Sequence, residues 1–220
     1  MTFDAAGLTI NNVEKVLRFQ KGETVMGARM NASILDNYRK ANDEKRIKIV
    51  LDHYSSFMPY VNAYEAGLIR TIKAEREYNR RVALGDPGVR VQTSNIGNPT
   101  SSEGDEDMIV RQAVRAGDYM TALRGADKFE THKWEILLLK DMREIYGLVE
   151  EQIGSLGDEK DVFKRYLKRE FKLAAIAGTE GVTSEAMKKR FGTLRKDVVD
   201  NSLKWLKEQR PYSYLEQKGA

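Results

Sequence analysis

The chain of 220 residues contains no cysteine, only four prolines and two histidines, and no apolar run approaches the roughly 20 residues that span a bilayer. Zero cysteines exclude a disulfide framework, a thiolate zinc site, an iron–sulfur cluster and a Cys nucleophile, and they fit a reducing compartment. Met1–Thr9 has no basic region followed by an apolar stretch, so a cytoplasmic location is expected. His53 and His132 lie on different expected helices, without HExxH or paired-carboxylate spacing, which argues against a metal or general-base role. Neither GxxxxGK[ST], nor GxGxxG after a strand, nor a GxSxG elbow occurs. A non-enzymatic protein without cofactor or metal is therefore expected. A large charge of one sign is missing too: 37 Lys and Arg stand against 33 Asp and Glu, a formal net charge of +4. Any nucleic-acid footprint must then be local.

What is present is helical periodicity. Ile10, Val13, Val16 and Leu17 form one stripe that ends near Gly22, predicting a short amphipathic helix. A segment from Thr24 through Ile34, Leu35 and Tyr38 is expected to break near Asn42 and Asp43. Two further helices carry Ile47, Val50, Leu51, Tyr54 and Met58, then, after Pro59, Val61, Tyr64, Leu68 and Ile72. The mixed-sign run Lys73, Glu75, Arg76, Glu77, Arg80 and Arg81 reads as a solvated helix face.

From Leu84 to Gly104 the glycines, Pro87, Asn98 and Pro99 break any helical period, which predicts a linker or exposed loop. Val89, Val91 and Thr93 alternate with polar residues and permit a short strand. Glu103, Asp105, Glu106 and Asp107 are expected at the start of the next helix, where carboxylates meet the positive end of its dipole. Asp127 is the expected cap of a long helix with the stripe Trp134, Leu137, Leu138, Met142, Ile145, Val149 and Ile153, ending at Gly154–Gly157. Asp158–Lys168 begins another, with Val162, Phe163, Tyr166 and Leu167 inward. Trp134 and Trp205 are expected in the core or at an interface.

Leu173–Leu194 reads LAAIAGTEGVTSEAMKKRFGTL, which has helix-turn-helix grammar. Ala177 is small where two helices cross, Gly181 takes a tight turn, Val182 plugs the shared core and Thr183 caps the second helix. With Met187 inward, 100° per residue places Phe191, Leu194 and Val198 within about 40° of it. Glu185, Lys189, Gly192 and Lys196 fall on the far side, flanked by Ser184, Lys188 and Arg195. Ser184, Glu185, Lys188 and Lys189 are then the candidate base readers in a major groove. Lys164, Arg165, Lys168, Arg169, Lys172, Thr183, Arg195 and Lys196 are the candidate phosphate contacts. Asp158–Arg210 holds 14 Lys and Arg against nine Asp and Glu, so the basic excess sits in one quarter of the protein. Glu180 stands where such motifs usually bury a leucine, predicting a wider turn or a shorter first helix.

The order GVRVQTSNIGNPT at Gly88–Thr100, preceded by Glu77-Tyr78-Asn79-Arg80-Arg81, resembles the helical sigma-factor-like late-gene activators of the ArpU and RinA type found with phage and mobile elements of Gram-positive bacteria. The resemblance covers about Asn62 to Lys207. It implies a transcription regulator that holds promoter DNA with Thr183–Lys196 and touches RNA polymerase through another helical surface.

The expected architecture is all-α, with an N-terminal helical bundle over 1–84, a linker over 85–104 and middle helices over 105–157. A helix-turn-helix domain over 158–210 and a flexible tail over 211–220 complete it. The expected partner is double-stranded DNA, with RNA polymerase and further copies of the chain as additional ones, and no membrane. Two other readings fit the same pattern: a small terminase-like DNA-packaging subunit, which would form a ring, and a helical scaffold without nucleic acid.

Overall fold

The computed structural model describes residues 34–83, 85 and 99–209, with 99–106 described by their backbone alone. Every regular element among them is a helix, in agreement with the all-α expectation. Contacts divide the chain into two compact units, 1–42 and 43–220. In the first, α1 covers 34–40 and buries Ile34 and Tyr38, one turn apart, and it stops at 41–42 as the sequence predicted. The expected helix at 10–19, the alternating segment at 89–93 and the tail from 211 lie outside the described residues.

The second unit is built from α2 (Asp43–Asp52), α3 (Tyr54–Ala83), α4 (Pro99–Ala116), α5 (Tyr119–Ala122), α6 (Phe129–Gly154), α7 (Glu159–Leu167), α8 (Leu173–Thr179) and α9 (Ser184–Gln209). Its hub is α6, which packs against α2, α3, α4, α5, α7 and α9. That role follows from composition: Ile136, Leu138, Leu139, Met142, Ile145, Leu148, Val149 and Ile153 are all buried, spreading apolar surface around much of the helix. Burying each such side chain contributes about 1.5–3 kcal/mol. The helix ends at Gly154, and Gly157 just beyond has φ 61°, as the glycine pair in the sequence predicted.

Two expected boundaries move. The break between the second and third helices falls at His53, not Pro59. His53 N–H donates to the Ile49 carbonyl at 3.1 Å, while the His53 carbonyl accepts from Ser56 and Phe57 at 2.9 and 2.7 Å, so one residue makes the joint. Pro59 stays inside α3, and the carbonyl it leaves without a donor belongs to Ser55, an exposed residue that solvent can reach. The expected linker ends early, since α4 starts at Pro99, a residue whose fixed φ and missing N–H suit a first helical position. The acidic residues from Glu103 onward therefore lie beyond the first turn, and Asp107 pairs with Lys73 of α3 instead of the dipole.

Asp127 does not cap α6. The cap position is Lys128, and the free amides of Asp127 and Lys128 donate to Glu75 Oε2 of α3 at 3.1 and 3.5 Å. The other oxygen of Glu75 lies 3.2 Å from Nε2 of buried His132, whose Nδ1 is 2.8 Å from Glu135. Tyr64 donates to Glu135 at 2.7 Å, closing a polar cluster between α3 and α6. Nearby, buried Glu65 binds Arg143 of α6, Arg115 of α4 at 3.0 Å and Arg111 at 4.0 Å. One carboxylate thus locks three helices, with its charge offset by guanidiniums that reach solvent.

The C-terminal half of α9 buries Val198, Val199, Ser202 and Leu206 and packs on α2 and α6. Helices α7, α8 and α9 thus belong to the same unit as α6, with α9 packed on α2 and α6. Trp134 is half-buried, whereas Trp205 keeps 40% of its surface exposed on the outer side of α9.

Candidate nucleic-acid interface

Helices α7, α8 and α9 close around a small aromatic core. The rings of Phe163, Tyr166 and Phe191 lie 4.3–6.3 Å from one another, and Leu167, Ile176, Ala177 and Met187 are buried with Phe163 and Phe191. Ala177 and the inward set Met187, Phe191 and Val198 stand as the spacing predicted, while Leu194 is partly exposed.

The turn between α8 and α9 follows from Gly181. Its φ is 67°, a conformation in which an L side chain crowds the following carbonyl, so only glycine adopts it without strain. Here the Val182 N–H returns to the Ala177 carbonyl at 3.0 Å and the Gly181 N–H reaches Gly178 at 3.4 Å, satisfying carbonyls at the end of α8. Thr183 then caps α9, its hydroxyl accepting from the Ala186 amide at 3.2 Å.

Val182 departs from expectation. It keeps 41% of its surface exposed and does not plug the shared core, because the turn aims it outward and the three rings already fill the space. Glu180 is exposed as well, so no buried leucine is needed there. Its carboxylate accepts from Arg190 at 3.3 Å, and Arg190 also donates to Glu159 at 2.5 Å, tying the turn and α7 to α9. Sequence spacing gave no sign of this brace, since its carboxylates lie 10 and 31 positions from the arginine.

Ser184, Glu185, Lys188 and Lys189 are all exposed on the first two turns of α9. Lys189 lies 3.4 Å from Glu185, with both side chains 80% exposed, a pair of little energetic weight. Lys196 continues the exposed face, and Arg165, Lys168, Arg169 and Lys172 are exposed on and after α7. Three of the candidate phosphate contacts already have carboxylate partners, Lys168 with Glu170 at 3.7 Å among them. Arg195 donates to Asp52 at 2.6 Å and to the Lys48 carbonyl at 3.4 Å, and Lys164 donates to Glu150 at 2.6 Å.

Lys164 also lines an open cleft of about 440 Å³ with Tyr54, Ser55, Tyr146, Glu150 and Lys168. Burial, then the Glu150 carboxylate, pushes the Tyr54 phenol well above its usual range and that of Tyr146 up to about 12. Glu150 is held below its usual value: burial opposes ionisation, but the bonds from Lys164 and Tyr54 outweigh it. At neutral pH the cleft thus presents two neutral phenols bound to an ionised carboxylate. Among the described residues no group of three His, Asp or Glu could hold a metal ion, and no helix is long and apolar enough to cross a membrane.

No protein-family model matches the chain, and neither the curated proteins nor the solved structures contain a significant match.

Proposed function

We propose that this chain is a non-enzymatic, sequence-specific DNA-binding regulator of the sigma-like kind, reading the major groove with the first turns of α9. The observation that carries the reading is the left-handed Gly181 turn followed by the Thr183 cap, which leaves Ser184, Glu185, Lys188 and Lys189 together on an exposed helix start. The burial of the same helix's second half against α2 and α6 supports it further, because a reader rigidly joined to the body loses little order on binding. Arg165, Arg169, Lys172 and Lys196 are exposed and can reach phosphates, whereas Lys164, Lys168 and Arg195 would first exchange Glu150, Glu170 and Asp52 for DNA. Contact with RNA polymerase and a role in phage or mobile-element transcription rest on the resemblance at Gly88–Thr100.

The test is the salt dependence of duplex binding. The logarithm of the affinity should fall linearly with log salt, neutralising the phosphate contact Lys196 should reduce the slope by about 1, and neutralising the base readers Lys188 or Lys189 should weaken binding to the preferred sequence by about 1–3 kcal/mol. An unchanged slope and affinity would remove this face from the interface.

A further inference from the structure

The bend between α7 and α8 carries a feature that the helix-turn-helix does not use. Arg169 has φ 57° and is the one non-glycine residue with positive φ among those described. It follows the end of α7, where the Glu170 amide returns to the Arg165 carbonyl at 3.2 Å and the Lys168 amide to Lys164 at 2.9 Å. Helices closed this way favour glycine at that place, because a Cβ crowds the backbone. Arg169 holds this conformation with its side chain exposed.

Two residues on, Phe171 leaves 55% of its surface in solvent, although an aromatic side chain gains most from burial. Exposed Lys168, Arg169 and Lys172 flank it in the chain, with one acidic residue among them, Glu170, which lies 3.7 Å from Lys168. Lys172 is the cap residue of α8, so this cationic, aromatic bend enters directly the helix that crosses the DNA backbone in a helix-turn-helix complex.

We propose that the bend at 168–172 is a second DNA-contacting element, in which Phe171 is pressed into the minor groove beside the α9 site while Arg169 and Lys172 hold the flanking phosphates. The proposal rests on the DNA-binding reading and adds a wedge to it. An apolar ring inserted at a base step partly unstacks it and bends the duplex, and the adjoining cations hold the bent backbone against the protein. Duplex DNA suits this surface better than a protein partner because three cations flank a single ring.

The test uses the full chain and end-labelled duplexes enriched by the wild type from random DNA, with affinity and end-to-end distance measured for wild type, Phe171→Ala and Arg169→Gly. The wild type should shorten the end-to-end distance. Phe171→Ala should keep the melting temperature and the sequence preference, bind about tenfold more weakly, as loss of one stacked aromatic predicts, and leave the duplex straighter. Arg169→Gly should melt higher, since the strain is relieved, yet bind more weakly; a residue with only a structural role would not separate the two. Wild-type affinity and bend in Phe171→Ala, with the enriched sequence still bound, would overturn the wedge and leave the α9 reading intact. A straight duplex in the wild-type complex would overturn it as well. Failure of the wild type to enrich any sequence would remove the DNA reading and the wedge together.

Discussion

Gly181 and Gly178 lie three residues apart and should respond to the same substitution with opposite sign. A Cβ built at either position meets nothing within 4 Å, so steric contact with the rest of the protein drops out of the comparison. What remains is backbone. Gly181 has φ 67°, and an alanine there must hold a left-handed conformation that costs about 1–2 kcal/mol. Gly178 lies in α8, where alanine is favoured over glycine by up to about 1 kcal/mol in a helix interior and by less near the end. Each kcal/mol moves the melting midpoint of a chain this long by about 2–4 °C. Thermal unfolding followed by circular dichroism should show Gly181→Ala lower by about 2–8 °C and Gly178→Ala unchanged or raised by up to about 4 °C. Gly181→Val should fall below Gly181→Ala, because β-branching adds crowding to the same φ. Equal shifts of the same sign in the two alanine variants would refute the assignment of this turn.

Replacing Glu65 with Leu should destabilise the protein by about 3 kcal/mol, the low end for breaking a buried ion pair, since Arg111 and Arg115 left behind are half exposed while Arg143 is largely buried; chemical denaturation at pH 7 measures it. His132 has its pKa raised: burial opposes its charge, but hydrogen bonds to Glu135 and Glu75 outweigh burial. The stabilisation is thus complete below pH 6.5 and lost as pH rises through the raised folded value, so a melting-temperature profile should fall there in the wild type and flatten in His132→Gln. Glu180→Leu should change stability by less than about 1 kcal/mol, the scale of an exposed ion pair; a gain of several kcal/mol on denaturation would mean that the position is buried after all.

The features legible in the sequence were those set by neighbours in the chain. The α6 stripe, the Gly181 turn, the Thr183 cap and the inward placement of Met187 and Phe191 all follow from local spacing and backbone chemistry. What spacing could not show was supplied from far away. Glu75 caps α6 from 52 positions upstream, Asp52 engages Arg195 across 143, and Glu65 gathers arginines 50 and 78 positions away. Pro99 misled because proline breaks a helix interior but suits a helix start, and Pro59 because it sits in the second turn of α3 opposite the carbonyl of exposed Ser55. The outward aim of Val182 depended on three rings from α7 and α9 occupying the core first.

The central claim, that the first turns of α9 read DNA, is tested most directly by selecting bound sequences from random duplex DNA at near-physiological salt, with wild type and the Lys188→Ala/Lys189→Ala double variant side by side. Both side chains are exposed, so the variant should fold as the wild type does. The wild type should enrich one motif, and the variant should lose it. The same motif enriched equally by both proteins, or no motif from the wild type, would contradict it.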